Sequence, residues 1–277
     1  MEYYISSGKI TSCNQGISIN NRAFRYGDGL FETMYFTNGK IVNIEKHYSR
    51  LNKGLNILRI NCSILDPLFL LDKVKELLSA NNIEGAARIR LQVFRKDGGL
   101  YRPENNDCDY IIEAFPLKYD NYKLNSKGLK IGIAKTIKKN KNQFSQLKST
   151  AKPEMVLCAI EAEDNKWDDA ILLNDEGYIV ESSSSNIFIY KNNVIYTPSI
   201  DDGLLNGIMR QTIIEICKKY QVTEAHLTEF DILSADEVFL TNAIAGIKWV
   251  SAFKSKRFRH KISDSLINEI NNTVVNN

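Results

Sequence analysis

"NDEGYIVESSSSNIFIYKNNVIYTPSIDDGLLNGIMRQTIIEICKKY", Asn174 to Tyr220, places four consecutive serines between two β-branched runs and then opens a helix on a glycine. From Gly207 the apolar positions Met209, Ile213, Ile216, Cys217 and Tyr220 keep one face of that helix buried. Lys218 and Lys219 fall in its last turn, where positive charge suits the macrodipole. The opposite end is then a free positive pole. Its "NGI" offers backbone N–H groups, and the missing side chain of Gly207 lets an anion come close. Phosphate suits such a pole, while many glycine-led helices bind nothing.

Upstream, "FETMYFTNGKIVNI" reads as two strands joined by Asn38-Gly39, because both residues tolerate positive φ. A helix follows from Glu45, with Leu51, Leu55 and Leu58 on one face, and a second starts at Asp66-Pro67. "ARIRLQVF" and "DYIIEAFPL" have the composition of paired strands. The polar, aperiodic "LKYDNYKLNSKG" marks a boundary. Beyond it the order is strand, loop, a helix over 153–163, strands over 170–197, the helix over 207–220, strands over 237–253 and a last helix from Ile262. Sheets with segregated helices predict an α+β fold in two domains: residues 1–118, a linker over 119–127, and a larger domain over 128–277.

A chain of 277 residues can bury a sizeable core. Its five cysteines are odd in number, widely spaced and never in CxxC pairs, which predicts neither a disulfide framework nor a zinc ribbon. A reducing cytoplasm fits. "MEYYISSGKI" lacks the basic and apolar regions of a secretory leader, and no apolar run is long enough to span a bilayer. A formal net charge of +3 implies neither a nucleic-acid nor a membrane partner. The basic "KSKRFRHK", Lys254 to Lys261, reads as a solvated strand or loop edge. His47, His226 and His260 form no ligand spacing, so no metal site is expected.

Two further pieces could serve an anion. "TNAIAGI", Thr241 to Ile247, follows the strand "EVFL" and offers amides and the Thr241 hydroxyl, and Arg50 in "EKHYSRL" lies one turn beyond His47. A surface ion pair is an equal reading of one arginine.

"NRAFRYGDGLFET", "EKHYSRL", "QLKST", "DEGYIVESSSSNIFIY", "YTPSIDDGLLNGIMRQ" and "ADEVFLTNAIAGI", in that order and spacing, resemble the class IV aminotransferase family. The resemblance runs from about Met1 to about Val250. It implies fold type IV of the pyridoxal-phosphate enzymes (D-amino-acid aminotransferase-like), with the cofactor in the cleft between domains, in a homodimer. Lys148 in "QLKST" matches the lysine joined to the cofactor aldehyde, which the family also uses to shuttle the substrate proton; a primary amine of lowered pKa suits both tasks. Glu181 matches the carboxylate facing the pyridine nitrogen, where an anion keeps the ring protonated. Arg50, the amides of Ile208 and Met209, and the Thr241, Asn242 and Ala243 turn match the phosphate cup, and Leu205 a residue packed on the ring. The serines then line and cross-brace this pocket, with Asn186 closing the turn.

Some positions depart from the family pattern. Many members have threonine where Met209 stands, and Tyr35 occupies a place where the lyases carry arginine. Tyr35, Arg95 and Arg102 are the substrate-side candidates, with Arg88 and Arg90 sharing one face of the neighbouring strand. The resemblance implies amino transfer between an amino acid and a 2-oxo acid. The alternative is elimination of pyruvate from 4-amino-4-deoxychorismate to give 4-aminobenzoate, and a more distant one is a cofactor-free binding protein on the same scaffold.

Overall fold

The computed structural model describes residues 1–62 and 66–276. They form two compact units, Met1–Asn121 with Leu147–Ala151, and Tyr122–Gln146 with Lys152–Asn277. The chain passes from the first to the second after Asn121 and returns to the first over Leu147–Ala151.

In the first unit the elements run β1 (Tyr3–Ser6), β2 (Lys9–Ser12), α1 (Arg22–Tyr26), β3 (Gly29–Thr37), β4 (Lys40–Ile41), α2 (Ile44–Leu58), α3 (Pro67–Ala80), β5 (Ala87–Arg95) and β6 (Cys108–Pro116). The strands make one antiparallel sheet in the order β2-β1-β6-β5-β3-β4. Asn38 and Gly39, at φ of 51° and 74°, make the two-residue turn of the β3–β4 hairpin. Asp66 accepts from the N–H groups of Leu68 and Phe69 at 2.8 and 2.9 Å, and Pro67 fills the first turn of α3, so that helix starts where the sequence predicts. Leu51 and Leu55 of α2 and Val74 and Leu77 of α3 pack with Leu30, Met34, Ile89, Leu91 and Ile112 of the sheet. Each such side chain contributes roughly 1.5–3 kcal/mol on burial.

Two findings correct the sequence reading here. Cys62 and Cys108 are joined in a disulfide, 46 residues apart in sequence. Spacing along the chain does not reveal the cause: Asn61 forms a β-bridge with Asp107, and Cys108 N–H donates to the Asn61 carbonyl at 3.1 Å, bringing the two Cα atoms to 5.4 Å. Lys148, expected in the C-terminal domain, counts with the first unit. Phe31 N–H donates to the Lys148 carbonyl at 2.8 Å and Thr150 N–H to the Gly29 carbonyl at 3.0 Å, so the segment is an irregular neighbour of β3. Gly27, at φ +64°, leaves it room, since a Cβ there would lie 2.6 Å from that of Ala151.

The second unit carries β7 (Leu129–Ile133), α4 (Pro153–Asp164), β8 (Asp169–Leu173), β9 (Ile179–Ser182), β10 (Asn186–Lys191), β11 (Val194–Pro198), α5 (Ile208–Ile216), β12 (Gln221–Ala225), α6 (Glu229–Ser234), β13 (Glu237–Asn242), β14 (Gly246–Phe253), β15 (Lys256–Arg257) and α7 (Lys261–Ile270). Its sheet runs β12-β11-β10-β13-β14-β7-β8-β9, with β15 paired to β14. Ile131, Ile171, Ile187, Val238, Leu240 and Phe253 form its core with Leu227 and Ile232. Helix α5 is shorter than its apolar period predicts. Cys217 is already extended (φ −68°, ψ 92°), because the chain must turn to lay β12 parallel to β11, so Lys218 and Lys219 lie outside the helix. Among the described residues no helix is long and apolar enough to cross a membrane.

Candidate active site

Strand β3 divides the chemistry of the first unit between its two faces. Leu30, Glu32 and Met34 alternate toward the helix side, where α2 lies, and Phe31, Thr33 and Tyr35 toward the other. Glu32, 1 % exposed, receives Arg50 through Nε at 2.8 Å and NH2 at 2.5 Å, and His47 Nδ1 at 2.6 Å. Burial works to raise the Glu32 pKa, but Arg50 and His47 outweigh it and bring it down to about 2. His47 is pushed below the ordinary histidine range by burial, against the pull of Glu32 and with help from Arg50 and Lys148. Leu30, Phe31, Glu32, Arg50, Leu51, Gly54, Leu147 and Lys148 line one small cavity. Arg50 and Lys148, the two cations singled out in this part of the sequence, are therefore neighbours.

The other face of β3 carries Phe31, Thr33 and Tyr35, with Arg88 and Arg90 of β5 paired beside Tyr35 and Thr33. Lys148 Nζ lies 4.5 Å from the Phe31 ring centroid and the Arg90 guanidinium carbon 4.1 Å from the same centroid. Arg90 also donates to Gln92 at 3.0 Å and lies 3.6 Å from Glu113. Arg95 is otherwise engaged: buried, it reaches Asp28, the carbonyls of Leu58 and Arg59, and Asn106. This array ties the end of α2 to β5 and leaves little of the guanidinium for a ligand. Tyr35 donates its hydroxyl to the Tyr119 carbonyl at 2.7 Å, and burial pushes that phenol up to about 12. Arg102 is exposed in the loop after β5. The structure thus brings Arg90, rather than Arg95 or Tyr35, to the neighbourhood of Lys148.

In the second unit Glu181 is 4 % exposed on β9. One oxygen accepts from the Leu205 N–H at 3.1 Å and the other from Lys139 Nζ. Leu205 is fixed from the other side as well, since its carbonyl accepts from Asn186 Nδ2 at 2.8 Å. Thr241 Oγ1 is buried with no partner among the described residues. Thr241 pairs with Asn186 across β13 and β10, and a Cβ on Gly207 would come within 2.0 Å of Asn186 Oδ1. The start of α5, which no side chain caps, therefore lies against the same pair of strands as the unpartnered hydroxyl. The Asn242 side chain is held within the turn, accepting from the N–H groups of Ile244 and Ala245 and donating to Ser185. Ala243 gives its carbonyl to Tyr122.

The serines brace more than they line. Ser182 and Ser183 both donate to Asp169 at 2.7 Å, and Ser185 N–H donates to Ser182 Oγ at 3.1 Å. Asp169 escaped the sequence reading, and so did Arg210. Arg210, 1 % exposed, holds the first turn of α5 against the Pro198 carbonyl, Glu224 and Asn206. The burial of Lys139 likewise has no local sequence signature.

The family model for amino-transferase class IV matches residues 29–253. The chain belongs to the class IV aminotransferase family. A relative from Aquifex aeolicus named "Probable branched-chain-amino-acid aminotransferase" is 31% identical, covering 89% of this chain and 83% of that one. An aminodeoxychorismate lyase of Vibrio harveyi is 26% identical, covering 86% and 88%. A solved branched-chain aminotransferase of Thermoproteus uzoniensis superposes with a TM-score of 0.87 at 23% identity, covering 99% of this chain and 95% of that one, which establishes the fold. The two-unit α+β architecture is that of the family, and this class IV chain is an enzyme of it.

Proposed function

We propose that this class IV chain binds pyridoxal phosphate and transfers an amino group between an amino acid and a 2-oxo acid. The observation that carries the reading is the set of open valences in the second unit: an unpartnered buried hydroxyl on Thr241 beside the uncapped start of α5, with a buried carboxylate on the same sheet. That set fits a phosphate and a cationic ring nitrogen. Thr241 Oγ1 and the amides of Ile208 and Met209 hold the phosphate, with Asn242 and Ala243 contributing backbone and Arg50 its charge. Met209 is 1 % exposed, so its side chain belongs to the core and its amide alone serves.

Pyridoxal phosphate, when bound, supplies an electron sink for the pair left at the substrate α-carbon. Lys148 is the amine that would condense with the cofactor aldehyde, releasing water, and that would carry the α-proton once the substrate amine has displaced it. Glu181 would hold a proton on the ring nitrogen, and Leu205, fixed by Glu181 and Asn186, would pack against the ring. Arg90 holds the substrate carboxylate through its planar fork; its place beside Phe31 and Lys148 supports this over Arg95, Arg102 and Tyr35. Borohydride should fix cofactor to the parent protein and not to Lys148→Ala; an unaltered adduct in the variant would show the wrong lysine was chosen.

Pyruvate elimination from aminodeoxychorismate is the second reading, favoured by the likeness to the Vibrio harveyi lyase. Panels of L- and D-amino acids with 2-oxoglutarate, and aminodeoxychorismate alone, separate the two. Glutamate without 4-aminobenzoate decides for transfer, the reverse for elimination.

We further infer a homodimer of the cytoplasm. Val156, Leu157 and Ile160 are about half exposed along one face of α4, and Phe24, Leu100 and Tyr101 are exposed in the first unit, which supports burial of apolar surface by a second copy. A monomer by light scattering at micromolar concentration overturns that. The Cys62–Cys108 bridge seen here would be reduced to thiols in such a reducing compartment.

A further inference from the structure

Lys139 is 3 % exposed, in the loop between β7 and α4. Its backbone N–H donates to the Leu173 carbonyl at 2.9 Å, pinning the loop to the end of β8, and its Nζ donates to Glu181. A fully buried lysine is rare unless paired, and this one is paired with the carboxylate assigned above to the ring nitrogen.

The groups facing Glu181 come from every element packed around it. Lys152, just before α4, is held below the ordinary lysine range by burial and then by Lys139, with Glu154 and Glu181 pulling the other way. Its nearest recorded carboxylate is Glu154, at 3.6 Å. Cys158 on α4 is pushed up to about 12 by burial, then by Asp169, Glu161 and Glu181, so it stays a neutral thiol. Asp169 on β8 is occupied by Ser182 and Ser183. Among the described residues, Lys139 is therefore the cation recorded in direct contact with the Glu181 carboxylate.

An ammonium in contact with a buried carboxylate offsets its charge and so weakens its hold on a second cation. We propose that Lys139 is a positioning residue, which with the Leu205 amide aims the Glu181 carboxylate and sets how tightly Glu181 holds the ring-nitrogen proton of pyridoxal phosphate. The proposal rests on the reading of Glu181 as the ring-nitrogen partner.

Holoenzyme loaded with pyridoxal phosphate carrying a 15N ring nitrogen is titrated by NMR, for the parent and for Lys139→Met, Lys139→Gln, Lys139→Arg and Glu181→Gln. Without the ammonium, Glu181 should hold the shared proton to a pH higher by about one unit or more, the usual effect of one opposite charge in contact. Lys139→Met and Lys139→Gln should both show this, and Lys139→Arg should titrate with the parent. Gln retains a hydrogen-bond donor without charge; if it follows the parent and Met alone shifts, the charge argument is overturned. Coincident titrations of parent, Met and Gln overturn it too. Should Lys139→Met fail to fold, the Gln and Arg pair carries the comparison. Glu181→Gln tests the underlying reading separately: an unchanged ring nitrogen there removes Glu181 from the ring, whereas a changed one beside inert Lys139 variants defeats the Lys139 proposal alone.

Discussion

Glu32 and Glu181 are both buried carboxylates next to basic side chains, yet they differ in what is left over. Glu32 is enclosed by an arginine fork and a histidine, each drawn from α2, and serves to lock that helix to β3. Glu181 has one ammonium and one backbone amide, and the sheet that carries it also carries a buried hydroxyl with no partner. Mutual satisfaction builds structure, while open valences in a buried polar set await a ligand. The contrast predicts that the two acids fail in different ways.

Glu32→Ala should cost about 3–5 kcal/mol of stability, because it strands the buried His47 and the partly buried Arg50 without this anion. Glu181→Gln keeps an acceptor for Lys139 and for the Leu205 amide, so denaturant unfolding should move far less. Cofactor-supported turnover should instead fall by about 100-fold or more, the size of losing one preorganised electrostatic partner. Equal destabilisation by the two substitutions would erase the distinction between them.

Acid sharpens the same comparison. With its folded pKa lowered from 4.5 to about 2, Glu32 contributes stability that is fully present above pH 4.5 and is lost as pH falls toward 2, on the order of 3 kcal/mol in all. Unfolding curves of the parent at pH 5 and pH 2.5 should differ by an amount that Glu32→Ala largely removes. A parent and variant that lose stability in parallel would show that other groups carry the acid limb.

The disulfide gives a further test, confined to the first unit. Closing a loop of 46 residues stabilises by roughly 2–4 kcal/mol. Reduction, or Cys62→Ser, should therefore lower the unfolding midpoint of that unit and leave cofactor affinity, assigned mainly to residues of the second, nearly unchanged. A large loss of affinity on reduction would mean that the bridge reaches the site.

How much of this was legible depended on whether the signal is local. Turns, caps and apolar periods act within a few residues, so the Asn38-Gly39 hairpin, the Asp66 cap and the strands β5 and β6 were readable from composition and spacing. Motif order singles out Lys148 and Glu181 as candidates, where chemistry alone would leave Lys148 as one of several surface lysines. What escaped is non-local. The β-bridge that brings Cys62 to Cys108, the burial of Lys139 against Glu181 and the engagement of Arg95 by Asp28 all join residues more than 40 positions apart. Helix α5 failed for the same reason: its apolar period continues to Tyr220, but pairing of β12 with β11 overrides it after Ile216.

The smallest effect is also the most discriminating. Thr241 Oγ1 is buried on β13 without a partner, so removing it costs the folded protein nothing in lost hydrogen bonds. Thr241→Val keeps the β-branched shape and deletes an unsatisfied polar atom, which should leave stability unchanged or raise it by about 1 kcal/mol. If that hydroxyl donates to the cofactor phosphate, the same substitution should weaken pyridoxal phosphate binding by about ten-fold or more, as loss of a charge-assisted hydrogen bond does. Opposite signs in unfolding and in cofactor titration are hard to obtain from a change that merely perturbs packing, since damage to β13 would lower both. A Thr241→Val protein that binds cofactor as tightly as the parent would place the phosphate elsewhere and leave the orphaned hydroxyl unexplained.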